Sequence, residues 1–269
     1  MNNPIGIFDS GVGGLTVFDA IRRSLPSQDI IYFGDTARVP YGSKSQNTII
    51  QYSLQNANFL IQQNIKLLIV ACNTSSAYAL DEVKENFDIP IIGVIESGAK
   101  KATKVTKNNK IGIIGTEGTI KSGAYEKVIK ELNENCKTFS KSTPLLVPFV
   151  EEDWIDHSVT KQVLEEYLKC LIDCDIDTLI LGCTHYPVLK NVIKEIIGSK
   201  IILIDSAESL ASEVFENYSF KNSKTIKGKY QFYVSDNPEK FKILGKRILN
   251  LNLEDVNMVY FTEGWIKNR

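Results

Sequence analysis

Two look-alike segments constrain the fold of this 269-residue chain more than any other feature. Residues 66–74 and 177–185 each contain a short apolar run, one small residue, a cysteine and then polar side chains. An apolar run of this length predicts a buried strand, here one that carries a thiol at its C-terminal end. Because ligands of open α/β sheets bind at that end of the strands, Cys72 and Cys183 predict a site with a thiol on each side.

Strand and helix patterns alternate through the first third of the chain. The patterns predict strands over 4–8, 29–33, 67–70 and 90–94, and helices over 15–21 and 45–63. Such alternation is typical of βαβ units with a mainly parallel sheet that is covered by helices.

The pattern then restarts, since residues 110–116 resemble residues 4–10. Cys72 lies 67 positions after Ile5, and Cys183 lies 72 positions after Ile111. A repeated start, a repeated cysteine and a similar spacing indicate an internal duplication. We therefore expect an α/β fold of two pseudo-symmetric domains, each with an open and mainly parallel sheet, that face each other across an interdomain active site.

The remaining patterns place the domain boundaries. An apolar stripe within 163–172 predicts a core-facing helix, and a strand over 201–204 is followed by Ser206 as the expected helix N-cap. A strand, a helix and a strand are predicted over 229–234, 238–249 and 257–261, and we expect them to return to the first half. The predicted domains are 1–95 with 208–269, and 96–207.

Bulk composition excludes some classes of partner. The chain has 31 basic and 32 acidic residues, which gives no support for nucleic acid or an anionic membrane as the main partner. Its longest apolar run, 67–72, is too short to cross a bilayer, and no signal peptide is visible. Five cysteines at spacings without a disulfide framework favour a reducing cytoplasm.

Two loops are candidate binding elements. Residues 9–14 are rich in glycine and join a strand to a helix, where backbone amides favour an anion. Thr16 stands where the dinucleotide fingerprint needs glycine, so this loop either simply turns or holds a carboxylate rather than a dinucleotide. The loop over 34–42 is either a surface turn or a substrate loop that offers Tyr41 and backbone amides.

The five cysteines fall into two groups. Cys136, Cys170 and Cys174 are expected to be inert buried residues, and they lack partners for a structural zinc site. Cys72 and Cys183 are each followed at once by hydrogen-bonding side chains. In the second segment His185 could stabilise a neighbouring thiolate or pass on a proton, whereas His157 is interpreted as structural.

A pair of facing thiols suits a reaction that inverts a carbon centre. One group removes a proton from one face while the other delivers a proton to the opposite face, and the two exchange roles in the reverse direction. Cysteine has an ordinary pKa near 8.5, so a modest local effect gives a thiolate beside a neutral thiol. The weakly acidic α-carbon of an amino acid would need further stabilisation from amides in a dry cleft.

With these residues assembled, the chain closely resembles the glutamate racemases of the cofactor-independent aspartate/glutamate racemase superfamily. The matching motifs run in family order through about the first 210 residues, over 7–15, 34–35, 40–42, 71–74, 182–185 and 204–206. The resemblance implies interconversion of L- and D-glutamate, without pyridoxal phosphate or a metal, to supply bacterial peptidoglycan. It also implies a homodimer.

The same resemblance assigns roles to residues. Cys72 and Cys183 would be the two acid/bases, serving the D-glutamate and L-glutamate faces respectively, and Asp9 and His185 would be their helpers. Glu151 matches an acidic residue near the second cysteine. The positions that match substrate-binding residues of the family are Asp9, Ser10, Tyr41, Gly42, Asn73, Thr74, Thr116, Thr119, Thr184 and His185.

Three alternatives remain at this point. The chain could racemise aspartate or a related dicarboxylate, because no motif encodes the length of the substrate side chain. It could be a glutamate-binding regulator, as for family members associated with gyrase inhibition, although binding alone needs neither both thiols nor His185. A redox or metal-storage protein would need cysteines close in sequence, and no Cys-x-x-Cys pair is present.

Overall fold

The computed structural model describes residues 3–218 and 227–261. The first part of the chain alternates strands and helices as predicted. Its elements are β1 (Ile5–Asp9), α1 (Leu15–Ser24), β2 (Ile30–Gly34), α2 (Gln46–Ile61), β3 (Leu67–Val70), α3 (Asn73–Tyr78), α4 (Leu80–Asn86), β4 (Ile91–Gly93) and α5 (Val94–Val105).

The second series follows without a break, and the last elements form a short third group. The second series is β5 (Lys110–Gly115), α6 (Glu117–Ser122), α7 (Ala124–Leu132), β6 (Lys137–Ser142), α8 (Leu146–Glu151), α9 (Ser158–Asp173), β7 (Thr178–Gly182), α10 (Lys190–Ile197), β8 (Ile202–Asp205) and α11 (Ser206–Asn217). The last elements are β9 (Tyr230–Val234), α12 (Pro238–Leu249) and β10 (Val256–Met258).

The strands form two separate sheets. The first has the order β10-β9-β2-β1-β3-β4 and the second has the order β6-β5-β7-β8, and every strand pair is parallel. The order β2-β1-β3-β4 of the first sheet therefore recurs as β6-β5-β7-β8 in the second. The predicted fold of two parallel-sheet α/β domains is confirmed, and the last strands join the first sheet as expected.

The central strands are buried because helices cover both faces of each sheet. Strands β1, β3 and β7 are buried along their whole length, as their continuous apolar runs require. One cluster of side chains packs β1 against α1 and α11, and another packs its opposite face against α2. Helices α5 and α11 pack against each other between the two sheets. The exact domain boundaries at 95 and 207 remain a prediction.

Strand order fixes where a site can form. In each sheet the order reverses beside a central strand, between β1 and β3 in the first and between β5 and β7 in the second. The carboxyl ends of strands at such a reversal border a crevice, because the loops that follow them leave in opposite directions. Asp9 and Cys72 lie at this point of the first sheet, and Thr116 and Cys183 lie at the same point of the second.

Several local predictions were wrong. Strand β6 was missed because its sequence is polar and only partly buried. The N-cap of α11 is Asp205, whose Oδ1 accepts from the Ala207 amide at 2.8 Å, so Ser206 is the first helical residue instead. The last strand is Val256–Met258 rather than 257–261.

The three other cysteines are less buried than expected. Cys170 is exposed, whereas Cys136 and Cys174 are half-buried. Cys170 lies on the side of α9 that faces away from the buried residues Leu164, Leu168 and Leu171. Within the described ranges, no helix is both long and apolar enough to span a membrane.

Candidate active site

The two sheets meet at a small cavity between the carboxyl ends of their central strands. The cavity has a volume of about 20 Å³, which is room for about one water molecule. Both cysteines of interest line it, one from each sheet. The lining residues are Ser10, Val39, Pro40, Tyr41, Gly42, Cys72, Asn73, Thr74, Thr116, Val147, Cys183, Thr184 and His185.

Cys72 directly follows β3 and is buried, with a relative exposure of 5%. Its thiol donates to the Ser10 hydroxyl oxygen over a distance of 3.7 Å. Burial raises the pKa of the Cys72 thiol to about 12, and the charge of Asp9 acts in the same direction. A raised pKa favours the protonated form of this thiol at neutral pH.

Asp9 ends β1 and has no exposed surface. Its carboxylate accepts from the Gly11 amide at 3.0 Å and from the Thr184 hydroxyl at 3.2 Å. Burial raises the pKa of Asp9, opposed by the charge of His185 and by these hydrogen bonds. The carboxylate that the glycine-rich loop holds in this structure is thus that of Asp9 itself, and Thr184 connects it to the second domain.

Cys183 follows β7 and has a basic neighbour. Its sulfur lies 3.8 Å from Nδ1 of His185, and Nε2 of the same ring lies 2.8 Å from Oε1 of Glu151. The imidazole has a relative exposure of 1%, so both of its nitrogens are committed to protein partners. The three side chains form a relay of sulfur, imidazole and carboxylate in which Glu151 orients the ring.

The charges of this relay reinforce one another. Burial alone would lower the pKa of His185, but the hydrogen bonds and charges of Cys183 and Glu151 outweigh it and raise the pKa well above its ordinary value. For Glu151, burial would raise the pKa, but the hydrogen bond and charge of His185, with the charge of Lys240, lower it overall. These interactions favour the imidazolium form of His185, whose Nδ1 lies beside the Cys183 sulfur.

The glycine-rich loop packs tightly against the second domain. A Cβ atom on Gly13 would lie 2.3 Å from Nδ1 of His185 and 2.6 Å from the Thr184 hydroxyl oxygen, so any side chain here would have to displace these groups. The Thr16 hydroxyl donates to the Thr184 carbonyl at 3.1 Å. Glycine is thus needed here for the close approach of the two halves, and Thr16 forms part of the same contact.

The loop over 34–42 contributes its last four residues, 39–42, to the lining of the cavity. The Tyr41 hydroxyl donates to the buried carboxylate of Asp35 and accepts from the Asn56 amide at 3.0 Å. Arg38 also donates to Asp35, at 2.6 Å. Because its hydroxyl is engaged in this network, Tyr41 can offer a ligand its backbone and ring edge but not its hydroxyl group.

Two hydrogen-bonded groups close the cavity on the side of α3 and α6. The hydroxyl oxygens of Thr74, Thr116 and Thr119 lie 2.9 to 3.3 Å from one another across the domain boundary. The Asn73 amide donates to the Tyr125 hydroxyl at 3.4 Å, and that hydroxyl lies 2.8 Å from Ser206. These polar side chains surround the space beside Cys72 with donors and acceptors.

The structure brings all the predicted site residues together. Asp9, Thr119 and Glu151 do not line the cavity, but each bonds to a residue that does. His157 lies elsewhere, where its Nδ1 accepts from the Val159 amide at 3.2 Å as the N-cap of α9. Among the described residues, no group of three or more His, Cys, Asp or Glu side chains could hold a metal ion.

Sequence reasoning missed several residues of the site. Val39, Pro40 and Val147 line the cavity, and Tyr125 holds Asn73. Apolar residues carry no chemical signal of their own, and Tyr125 lies in a helix remote from every motif. Pro40 alone could have been found, because it lies within the motif over 40–42.

Comparisons with known proteins agree with this geometry. Residues 9–214 match the family model described as Asp/Glu/Hydantoin racemase. The glutamate racemase of Geobacter metallireducens is 49% identical over 258 residues, covering 95% of this chain and 96% of that protein.

Solved structures of glutamate racemases also superpose closely on this chain. A glutamate racemase isoform from Bacillus anthracis superposes with a TM-score of 0.91 at 40% identity, covering 96% of this chain and 97% of the other. The glutamate racemase of Francisella tularensis, in complex with D-glutamate, gives 0.87 at 41% identity with the same coverage. On this evidence the chain belongs to the Asp/Glu/hydantoin racemase family.

Proposed function

We propose that this protein is a racemase that interconverts L- and D-glutamate by proton transfer at Cα between two cysteine thiols, without a cofactor. The observation that carries the proposal is that Cys72 and Cys183, from corresponding strands of two sheets, line one cavity. Glutamate is favoured as the substrate because relatives that are nearly half identical over almost the whole chain are glutamate racemases.

The reaction needs one thiolate and one thiol. In the direction from L to D, the Cys183 thiolate takes the Cα proton, and its sulfur becomes a thiol while a carbanion forms at Cα. The Cys72 thiol then gives its proton to the opposite face and becomes a thiolate. The reverse direction exchanges the two roles, so atoms and charges balance in both.

The surroundings of the thiols suit this starting state. His185, held by Glu151, supplies positive charge beside Cys183, whereas burial and Asp9 keep Cys72 protonated. The two cysteines are only 5% and 6% exposed, so little water surrounds their sulfurs, which strengthens each of these interactions.

Substrate recognition is assigned to the polar residues around the two thiols. On the first domain these are the Ser10 hydroxyl, the Gly42 backbone and the side chains of Asn73 and Thr74. On the second domain they are Thr116, Thr184 and His185, all of which line the cavity. Hydrogen bonds to the α-carboxylate would also stabilise the negative charge that develops on loss of the Cα proton.

Three further properties belong to the proposal. The product D-glutamate would supply bacterial peptidoglycan, the protein would work in the cytoplasm, and it would assemble as a homodimer. Rescue of a bacterial strain that requires D-glutamate tests the first property. Light scattering coupled to gel filtration tests the last, since a monomer mass would contradict it.

The central test replaces each thiol in turn. Cys72→Ala and Cys183→Ala should each lower racemisation of glutamate by at least about 10³-fold, because each removes the proton carrier of one face. Rotation of polarised light follows the reaction, and solvent deuterium should enter Cα in the unaltered protein. Cys170→Ala is the matched control, because this exposed thiol lies outside the cavity and its loss should change nothing.

Each contrary result has a distinct meaning. Full activity in the Cys183→Ala protein would refute the two-thiol mechanism. Aspartate consumed faster than glutamate would overturn the substrate. Loss of activity after hydroxylamine treatment, which removes pyridoxal phosphate, would overturn the claim that no cofactor takes part.

A further inference from the structure

The turn over 152–156 follows Glu151 and faces α12 of the other half. Lys240 of α12 pairs with Glu152, with 3.0 Å between Nζ and Oε1. Arg247 of the same helix pairs with Asp156 at 3.0 Å and also with Asp153. Three acidic residues of one short turn are thus bound by two basic residues of one helix.

Helix α12 is firmly part of the half that contains the first sheet. Its residues Phe241, Leu244 and Leu249 are buried in the same cluster as the side chains of β1 and α1. A Cβ atom on Gly245 would lie 3.1 Å from Leu15 of α1, so helix and core are in close contact. The ion pairs of Lys240 and Arg247 therefore connect a fixed element of the first half to the second half.

The turn is equally well fixed to the second half. The Trp154 amide donates to the Phe149 carbonyl at 2.7 Å, and the Trp154 ring stacks between the rings of Phe149 and His157. His157 in turn caps α9. The turn begins one residue after Glu151, so a force on the turn is transmitted directly to the carboxylate that holds His185.

The volume of the cavity shows that the closed structure has no room for a substrate. Its volume of about 20 Å³ holds about one water molecule, and an amino acid with two carboxylates is several times larger. The halves must separate for substrate to enter and product to leave. Separation on the side of α12 parts Lys240 and Arg247 from the turn.

We propose that Lys240 and Arg247 are positioning residues, whose ion pairs with Glu152, Asp153 and Asp156 hold the cleft closed and keep Glu151 against His185. This inference rests on the proposed function, in which the pair of Glu151 and His185 serves Cys183. The charge of Lys240 also helps to lower the pKa of Glu151, which favours the carboxylate that binds the imidazolium.

The test measures how often the cleft opens, through the reactivity of its thiols. Cys72 and Cys183 are only 5% and 6% exposed in the closed state, so iodoacetamide reaches them in proportion to the open fraction. Mass spectrometry of the peptides that contain each cysteine gives the two rates without substrate. The half-buried Cys136 is the internal reference, because its rate should not change.

A charge exchange at the one-to-one pair provides the sharpest variants. Lys240→Glu should raise the alkylation rates of Cys72 and Cys183 by about two- to tenfold, the range expected for loss and reversal of an exposed ion pair. Glu152→Lys should do the same. The double variant restores an attractive pair, and its rates should return to within about twofold of the unaltered protein. In 1 M salt the differences should shrink, because exposed charges are screened.

Arg247→Met and Lys242→Glu complete the set. Arg247→Met removes two ion pairs and should raise the alkylation rates of Cys72 and Cys183. Arg247→Lys keeps the positive charge, so the alkylation rates should stay close to those of the unaltered protein. Lys242 belongs to the same helix but pairs within it, with Glu239, so Lys242→Glu should leave the rates unchanged.

Two results would overturn the inference. The first is that Cys72 and Cys183 are alkylated in Lys240→Glu and Arg247→Met at the same rates as in the unaltered protein. The other is a raised rate that the double exchange does not restore, since that indicates damage to α12 rather than loss of the pair. Racemisation is measured in the same samples to separate a failure of the proposed function from a failure of this inference. If the unaltered protein does not racemise glutamate, the proposed function is refuted, whereas the alkylation rates still test the role of the ion pairs.

Discussion

Cys72 and Cys183 occupy the same position in two sheets of the same strand order, yet their surroundings differ in charge. Cys72 lies near the carboxylate of Asp9, and its hydrogen-bond partners, Ser10 and Ser75, are neutral. Cys183 lies beside the imidazole of His185, which Glu151 holds in place. A matched scaffold thus carries one thiol near a carboxylate and one beside an imidazole, and this is the unequal pair that the proposed proton transfer uses.

Thermodynamics limits how this difference can appear. The two enantiomers have equal free energy in water, so kcat/KM must be equal in the two directions for every variant. Unequal surroundings can therefore make kcat and KM differ between the two directions, but within any one variant kcat/KM is the same in both directions. The predictions below use the total loss of kcat/KM, and begin with the largest.

Replacing Asp9 and His185, the charged residues near the two thiols, should show which cysteine depends more on its surroundings. His185→Asn should lower kcat/KM by about 10²-fold, because it removes the positive charge beside Cys183 and the bond to Glu151. Asp9→Asn should cost only about tenfold. Its amide oxygen can accept from the Gly11 amide and its amide nitrogen can donate to the Thr184 hydroxyl oxygen, while loss of the charge makes the Cys72 thiol easier to ionise. Circular dichroism of each enantiomer measures both. A larger loss of kcat/KM in Asp9→Asn than in His185→Asn would contradict the inference that Cys183 depends more on its charged neighbour than Cys72 does.

The contact between the halves can be tested at two glycines of one loop. Gly13→Ala should lower kcat/KM by about tenfold or more, because its methyl group would displace the imidazole of His185. Gly11→Ala adds the same methyl group where the nearest atoms lie 3.4 and 3.5 Å away, so the loss should be only a few fold. Steady-state kinetics and thermal unfolding of both proteins check this. Equal losses would contradict the inference that Gly13 is needed for its close approach to His185.

The smallest effect concerns pH. Glu151→Gln removes a charge that raises the pKa of His185, so burial should lower that pKa and the imidazolium should be lost at a lower pH. The alkaline limb of the profile of kcat/KM against pH should move towards acid, while activity near pH 6 changes little. Glu166→Gln, at an exposed position of α9, is the control and should leave the profile unchanged. An unmoved limb in Glu151→Gln would show that another group controls it.

The sequence was sufficient to predict the two sheets and the two thiols. Apolar runs such as Leu67–Val70 and Thr178–Gly182 have no other way to be buried than as central strands, and a cysteine at the end of each must emerge at the carboxyl edge. The spacing of the repeats then predicted the duplication. Each apolar run with its cysteine is a local signal, and the duplication is visible because the two repeats keep the same order and a similar spacing.

The contacts that could not be predicted from the sequence join residues that are far apart along the chain. Lys240 and Glu152 are 88 positions apart, so no local pattern connects them. The direction of the Tyr41 hydroxyl depends on Asp35 and Asn56, which belong to different elements. Strand β6 is polar because it is at the edge of its sheet, where one side needs no apolar cover.

The shared strand order has a consequence for how unequal acid strengths can arise. If the two halves were separate identical subunits, two-fold symmetry would give both sulfurs the same neighbours, and any substitution would alter both at once. With both copies in one polypeptide, each half can change alone, so a carboxylate can remain near one sulfur while an imidazole is placed beside the other. Covalent linkage of the two copies is therefore what permits the two sulfurs to have different charged neighbours although the two domains share one strand order.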